Sequence, residues 1–357
     1  MRTLYFVIVV VIAVAIVLIA FYYGNNAKQV SQTLNTTNSS TTPVSPKITF
    51  NESSQLIANA KNTNTNNENT LVIANNTIDT ESILKSNFDK WGIKKLYATT
   101  TSGREWYNAW DNGISRTLTA GNQDPYDPTG WFKVTGEGPT AETKPILYID
   151  GNGIATMSGH QPRMYVYDPE LKLKWLNTEI TVYGKRVSET VLYRTQGINI
   201  GARSNHQDQE KNACGVDTYY SRMLYNGIGN FAKELNHPQD VKAPSSRNHL
   251  NWLPYGTTMP HNTWIGHKFV IRNVDGGKHV RLEMWRDLND GLNGGDWKLM
   301  VNYTDEGLWV DPSTPKCPTT GLNKIILEAN PSIFIRNTDI SSAQYKYFSA
   351  REIDPLP

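Results

Sequence analysis

The sequence predicts an all-β protein, an antiparallel sandwich occupying residues 85–357. Turn signals recur at short intervals there: Asp111-Asn112-Gly113, Asp150-Gly151-Asn152-Gly153, Asp275-Gly276-Gly277 and Asn293-Gly294-Gly295. Between them lie short runs rich in Val, Ile, Thr, Tyr and Trp that alternate with period two and show little helical periodicity. All 10 Trp residues fall in this stretch, from Trp91 to Trp309, so the aromatic mass for one large core is concentrated there. No internal repeat is visible.

The chain opens on an uncharged apolar run, Leu4–Tyr23. At the helical rise it spans about 30 Å, the thickness of a bilayer's hydrocarbon core. Arg2 precedes it and Lys28 follows, a bias that places the N-terminus inside and the remainder outside the cell. Residues 1–23 are therefore expected to be a membrane anchor. A cleaved signal peptide is the rival reading, but a small-x-small cleavage site is hard to find. Residues 24–84 are dominated by Asn, Thr and Ser, contain no Trp or Tyr, and are expected to form a flexible stalk. Asn-x-Ser/Thr acceptors at Asn35, Asn38, Asn51 and Asn75 fit a glycosylated tether, although such a composition also produces them by chance.

The net charge is +2. With no dense basic patch and no zinc-ligand spacing, nucleic acid is excluded as an expected partner. The two cysteines, Cys214 and Cys317, are expected to form one disulfide outside the cell. On the chain-entropy account, closing a loop of that length stabilises by about 4–5 kcal/mol.

Four runs show an aliphatic face backed by a polar and aromatic one. Met164 and Val166 alternate with Arg163, Tyr165 and Tyr167. Leu176, Thr178, Ile180 and Val182 alternate with Trp175, Asn177, Glu179, Thr181 and Tyr183. Ile198, Ile200 and Ala202 alternate with Asn199 and Arg203. Val280, Leu282 and Met284 alternate with His279, Arg281, Glu283, Trp285 and Asp287. A merely solvated face would favour Lys, Glu, Ser and Thr. Rings interleaved with Arg, Asn and Glu suit a sugar: rings stack on its C–H faces while the polar groups fix hydroxyls and carboxylates. The expected glycan-binding set is Arg163, Tyr165, Trp175, Asn177, Glu179, Tyr183, Asn199, Trp252, Glu283 and Trp285. Trp252 enters because residues 237–261, punctuated by Pro238, Pro244, Pro254 and Pro260, read as a long loop able to overhang a groove.

Over the globular part the chain resembles the concanavalin A-like jelly-roll superfamily. The resemblance rests on residues 175–183, 264–273 and 280–287, and on the closing run 345–353. It implies two stacked antiparallel sheets, with any glycan lying across the concave one. Within that superfamily the alginate-lyase-like jelly rolls are the closest enzymes. Their Arg-Thr-Glu-Leu-Arg motif is echoed only by Asn177-Thr178-Glu179. Their Gln-Ile-His and C-terminal tyrosine motifs are unmatched, as is the Glu-x-Asp-x-x-Glu signature of laminarinase-like glycosidases.

A lyase acting on a uronate needs a carboxylate neutraliser, a base and an acid. Arg203 and Arg281 are the candidate neutralisers, His206 the base, and Tyr220 the acid or a second base. A hydrolase would instead pair Glu179 with Glu283. Asp287, Asn289 and Asp290 resemble an oxygen-rich calcium loop without EF-hand spacing, so a structural calcium ion is weighed against a plain turn. The expectation is a membrane-tethered, extracellular, polysaccharide-binding jelly roll. The alternatives are a polysaccharide lyase and a non-catalytic adhesive or structural surface protein.

Overall fold

The computed structural model describes residues 87–136, 140, 143–193, 195–208, 215–235, 240–242, 250–253, 257–309 and 324–356. The predicted anchor, the stalk with its acceptors, Cys214 and Cys317 lie outside them. Among the described residues no helix is long and apolar enough to cross a membrane.

The strands in chain order begin with β1 (Glu105–Tyr107), β2 (Arg116–Thr119), β3 (Phe132–Thr135), β4 (Ile146–Ile149), β5 (Ala155–Gly159) and β6 (Arg163–Val166). Next come β7 (Thr178–Ser188), β8 (Gly197–Ser204), β9 (Asp217–Leu224), β10 (Ile228–Leu235), β11 (Asp240–Lys242) and β12 (Leu250–Asn251). The last are β13 (Trp264–Val274), β14 (His279–Asp287), β15 (Lys298–Asp305), β16 (Ser332–Arg336) and β17 (Ile340–Glu352). They form two antiparallel sheets. The first runs β15-β14-β13-β7-β17-β5-β4-β2, with β1 also on β17. The second runs β11-β10-β9-β8-β16-β6-β3, with β12 also on β10. The chain passes between sheets from β2 to β3, β3 to β4, β5 to β6, β6 to β7, β7 to β8, β12 to β13, β15 to β16 and β16 to β17. The expected antiparallel sandwich is observed.

The aliphatic halves of the predicted strands meet between the sheets. Met164, Val166, Ile180, Val182, Ile198, Ile200, Val280, Leu282 and Met284 all belong to one buried core. Each such side chain contributes about 1.5–3 kcal/mol on burial, so period two is enforced strand by strand.

Polar bonds that periodicity does not reveal also cross this core. Lys233 of β10 donates to Asp305 of β15 at 2.7 Å, and the Tyr219 hydroxyl donates to the same carboxylate oxygen. His267 of β13 reaches the Ile198 carbonyl through Nδ1 at 2.9 Å and the Ser221 hydroxyl through Nε2, also at 2.9 Å. Because a carbonyl only accepts, Nδ1 carries the proton and Nε2 accepts from Ser221. Burial pushes His267 down to about 3, against the opposing Ile198 hydrogen bond.

His267 therefore makes stability pH-dependent. Between about pH 6.5 and pH 3 the unfolded chain binds a proton at this site that the folded chain does not, so stability falls as pH falls through that window. His267→Gln is expected to flatten the decline by up to about 1.4 kcal/mol per pH unit in urea unfolding titrations. An unchanged slope would show that His267 is protonated in the fold.

Candidate functional site

The polar face of the first sheet is closed by the chain itself. Residues 87–99 lie across the outer side of β7 and β13. Glu179, 0% exposed, accepts from the Leu96 and Tyr97 amides at 3.1 Å each and from Lys268 at 2.9 Å, and it pairs with Arg351 at 2.8 Å. Burial alone would raise this carboxyl, but Lys268 and Arg351 hold it below the ordinary carboxylate range. Glu283 pairs with Arg272 at 3.0 Å and accepts from the Tyr97 hydroxyl at 2.8 Å and the Trp285 indole at 2.9 Å. The Arg272 guanidinium lies 3.8 Å from the Tyr97 ring centre. Burial and then Glu283 push the Tyr97 hydroxyl up to about 12.

This geometry corrects the hydrolase pairing. Glu179 and Glu283 both stand opposite Val270, on the two strands flanking β13. Two strand spacings separate their backbones by about 9.6 Å, and both carboxylates are engaged and covered. Tyr183 is also sealed: its hydroxyl donates to Asp287 at 2.8 Å, and its ring packs edge-on against Trp297 and Tyr347. Ile93 and Tyr183 crowd Gly291, where an added Cβ would lie 2.7 Å from Ile93, so the covering segment needs a glycine beneath it.

Other expected site residues serve the fold. Trp175 precedes β7 and leaves its alternation; it is buried in the core under Arg104 and Trp131. Trp252 is also buried in the core and donates to the Leu224 carbonyl at 2.8 Å, rather than overhanging a groove. Arg203 has a left-handed φ of 45° beside a register shift in the β8–β16 pairing. That bulge turns its guanidinium onto the Leu176 and Ile326 carbonyls and Asn177. Asn177 also accepts from the Asn273 amide, which ties it to the same corner. Arg281 lies on the first sheet, bonded to Thr304, and Trp285 is half-buried beside Glu283. The proposed catalytic group is thus divided: Arg203 and Arg281 do not join His206 and Tyr220. In the calcium candidate, the Asp287 oxygens accept from Asn289, Gly291, Asp296 and Tyr183, while Asp290 pairs with Lys346. Hydrogen bonds to Asp287 and the Asp290–Lys346 pair hold that loop's shape.

The outer face of the second sheet gathers the remaining candidates. Arg163 and Tyr165 project there from β6, opposite to core residues Met164 and Val166. Tyr165, Phe334, Tyr220 and Ala232 form a second, smaller apolar cluster, with Tyr167 packed against it. Phe334 lies directly over Gly201, where any Cβ would stand 2.4 Å from its ring. His206, in the turn after β8, faces the Tyr165 hydroxyl through Nδ1 at 3.0 Å and Glu234 through Nε2 at 3.6 Å. The Tyr220 hydroxyl donates to Glu234 at 2.7 Å.

Beside this cluster a cleft of about 350 Å³ opens over the outer face of the paired strands β3 and β6, lined by Lys133, Thr135, Arg163, Tyr165, Tyr167, His206 and Gln207. Its size is at the small end of ligand pockets. Arg163 is only 4% exposed, yet its Nε has no hydrogen-bond partner among the described residues. Sequence reading found Arg163, Tyr165, Asn199, His206 and Tyr220 on this face but missed Lys133, Glu234, Phe334 and Arg336. The signal was present for two of them: Ile333 and Ile335 alternate with Phe334 and Arg336 as Met164 and Val166 do with Arg163 and Tyr165.

No family model and no curated protein matches this chain. Among solved structures it is similar to the receptor-binding domain of botulinum neurotoxin mosaic serotype C/D, with 10% identity and TM-score 0.34. That match covers 69% of this chain and 49% of the other, so the chain spans about half of that structure's length. The Ca2+-bound exoplasmic/lumenal domain of VIP36 has 11% identity, TM-score 0.33, and coverage of 69% and 92% respectively. Peanut lectin has 6% identity, TM-score 0.29, and coverage of 66% and 97%. Likeness at this level assigns no ligand, so the reading of the site rests on its own residues.

The closed face predicts a stability effect separate from binding. Glu179→Gln leaves Lys268 and Arg351 buried without their counter-charge and is expected to cost about 3–5 kcal/mol in denaturant unfolding. A loss below about 1 kcal/mol would mean that this pair is solvated rather than sealed.

Proposed function

We propose that the protein binds carbohydrate in the cleft on the outer face of its second sheet. In this reading it is displayed outside the cell by the Leu4–Tyr23 anchor and the Asn/Thr/Ser-rich tether. The observation that carries the reading is the cleft's composition. Tyr165 and Tyr167 form an edge-to-face aromatic wall, with ring centres 6.2 Å apart, bordered by Lys133, Arg163, His206 and Gln207. Half-buried Tyr167 offers a ring surface to a sugar's C–H face, and the surrounding donors and acceptors suit hydroxyls. The opposite outer face is a poor competitor, because residues 87–99 cover its carboxylates and rings.

A polysaccharide lyase is the second reading, favoured by one observation: Tyr165 and His206 are hydrogen-bonded beside Arg163. Burial first, and then the Glu234 charge against Arg163, keeps the Tyr165 hydroxyl well above its ordinary range. That suits a proton donor rather than a base and leaves the base role to His206. Incubation with uronate polymers, followed by ultraviolet absorbance, separates the readings: an unsaturated product supports cleavage, and its absence with retained binding supports a lectin-like role.

Titration of the full-length protein with soluble polysaccharides tests the cleft. Tyr167→Ala is expected to weaken binding about tenfold, the scale of losing one stacked ring, while leaving the unfolding midpoint nearly unchanged. Undiminished affinity in that variant would place any sugar site elsewhere.

A further inference from the structure

Building on the sugar-cleft reading, we propose that the ligand is an acidic polysaccharide whose carboxylates are held by a row of arginines crossing the second sheet. Strand register sets Arg163, Arg336, Asn199, Arg222 and Asn230 side by side on β6, β16, β8, β9 and β10. They share the outer face because Met164, Ile335, Ile200, Met223 and Phe231, their sequence neighbours, fill the core. With strands about 4.8 Å apart, the row extends roughly 19 Å from Arg163 to Asn230.

The row is rich in charge of one sign and contains no carboxylate. Arg163 lines the cleft and makes no ion pair among the described residues; its buried Nε is unpartnered there. The same holds for Arg336 Nε, Asn199 Oδ1 and Asn230 Oδ1, each buried without a hydrogen-bond partner among the described residues. Two adjacent arginines thus lead the line, followed by Asn199, Arg222 and Asn230. Guanidiniums take carboxylates in a two-point grip. Beyond the cleft Asn199 and Asn230 are only 4% and 3% exposed, so the half-buried Arg336 and Arg222 are the reachable members of the line, and Arg222 is steadied over the Tyr220 ring at 4.7 Å. A neutral glycan would leave Arg163 and Arg336, which make no ion pair among the described residues, without a counter-charge. A single-stranded nucleic acid stacks successive bases on a run of exposed rings, whereas Tyr165, Phe334 and Tyr220 in the adjacent row are buried and half-buried Tyr167 offers one ring face.

The test is calorimetric titration of the full-length protein with polygalacturonate and with its carboxyl-reduced, neutral derivative, at low and physiological salt. Polygalacturonate is expected to bind about tenfold tighter or more, with the advantage shrinking as salt rises. Arg336→Gln should lose about tenfold on the acidic polymer alone, and Arg163→Met should lose more on the acidic polymer than on the neutral one, with far-ultraviolet circular dichroism confirming that each variant is folded. Equal affinity for the two polymers, still weakened by Tyr167→Ala, would overturn the acidic-ligand proposal and leave the sugar cleft standing. Binding of neither polymer would remove both. Oligothymidylate bound as tightly as polygalacturonate would overturn the proposal in favour of a general polyanion surface.

Discussion

The Glu179 carboxylate decides which side of this sandwich is available to a ligand. It sits on the outer face of the first sheet, where an unpaired charge without water would be prohibitively costly. Lys268 and Arg351 supply the counter-charge, and the amides of Leu96 and Tyr97 complete its hydrogen bonding. Satisfying the carboxylate thus requires residues 87–99 to lie across β7 and β13. Once that segment is in place, the Tyr97 ring stacks on Arg272 while its hydroxyl donates to Glu283, and Ile93 closes over Gly291. A sheet face that reads as open binding surface becomes a third packed layer.

The dry half of every predicted strand was legible because period-two alternation is a local property and burial enforces it residue by residue. Ile180 with Val182, and Val280 with Leu282 and Met284, needed no tertiary knowledge. The polar half was legible in composition but not in destination. β7 and β14 belong to the first sheet, whereas β6 and β8 belong to the second, so equivalent patterns ended on outer faces that point away from each other. The sequence carries no local mark of sheet membership. Residues at strand margins were harder still. Trp175 stands just before β7, where alternation no longer binds it, and one left-handed residue at Arg203 was enough to turn a guanidinium away from the face its parity predicted.

Polar groups inside the core follow the same logic as Glu179. Lys233 and Tyr219 meet on Asp305, and His267 bridges Ile198 and Ser221, so each links one sheet to the other. A buried polar group left unpaired costs about 1–3 kcal/mol, so these bonds penalise sliding of the sheets in a way that aliphatic contacts alone do not. They fix the relative placement of β9, β10, β13 and β15, and with it the positions of Tyr220 and Glu234 on the face above.

The two outer faces differ most clearly in the signs of the charges they set against each other. On the first sheet, register places Glu179 directly opposite Arg351, an attractive cross-strand pair. Arg272 does face Arg281 there, but Glu283 neutralises the former and Thr304 receives the latter. On the second sheet Arg163 faces Arg336 directly, and Asn199 stands between Arg336 and Arg222 with no acid in the row. Like charges directly opposed across strands destabilise a sheet, and buried atoms without partners add to that cost. The two faces thus differ in their counter-charges: Glu179 and Glu283 neutralise the cations of the first, whereas the Arg163-to-Asn230 row of the second holds no carboxylate. That asymmetry supports the second face, rather than the first, as the proposed recognition surface.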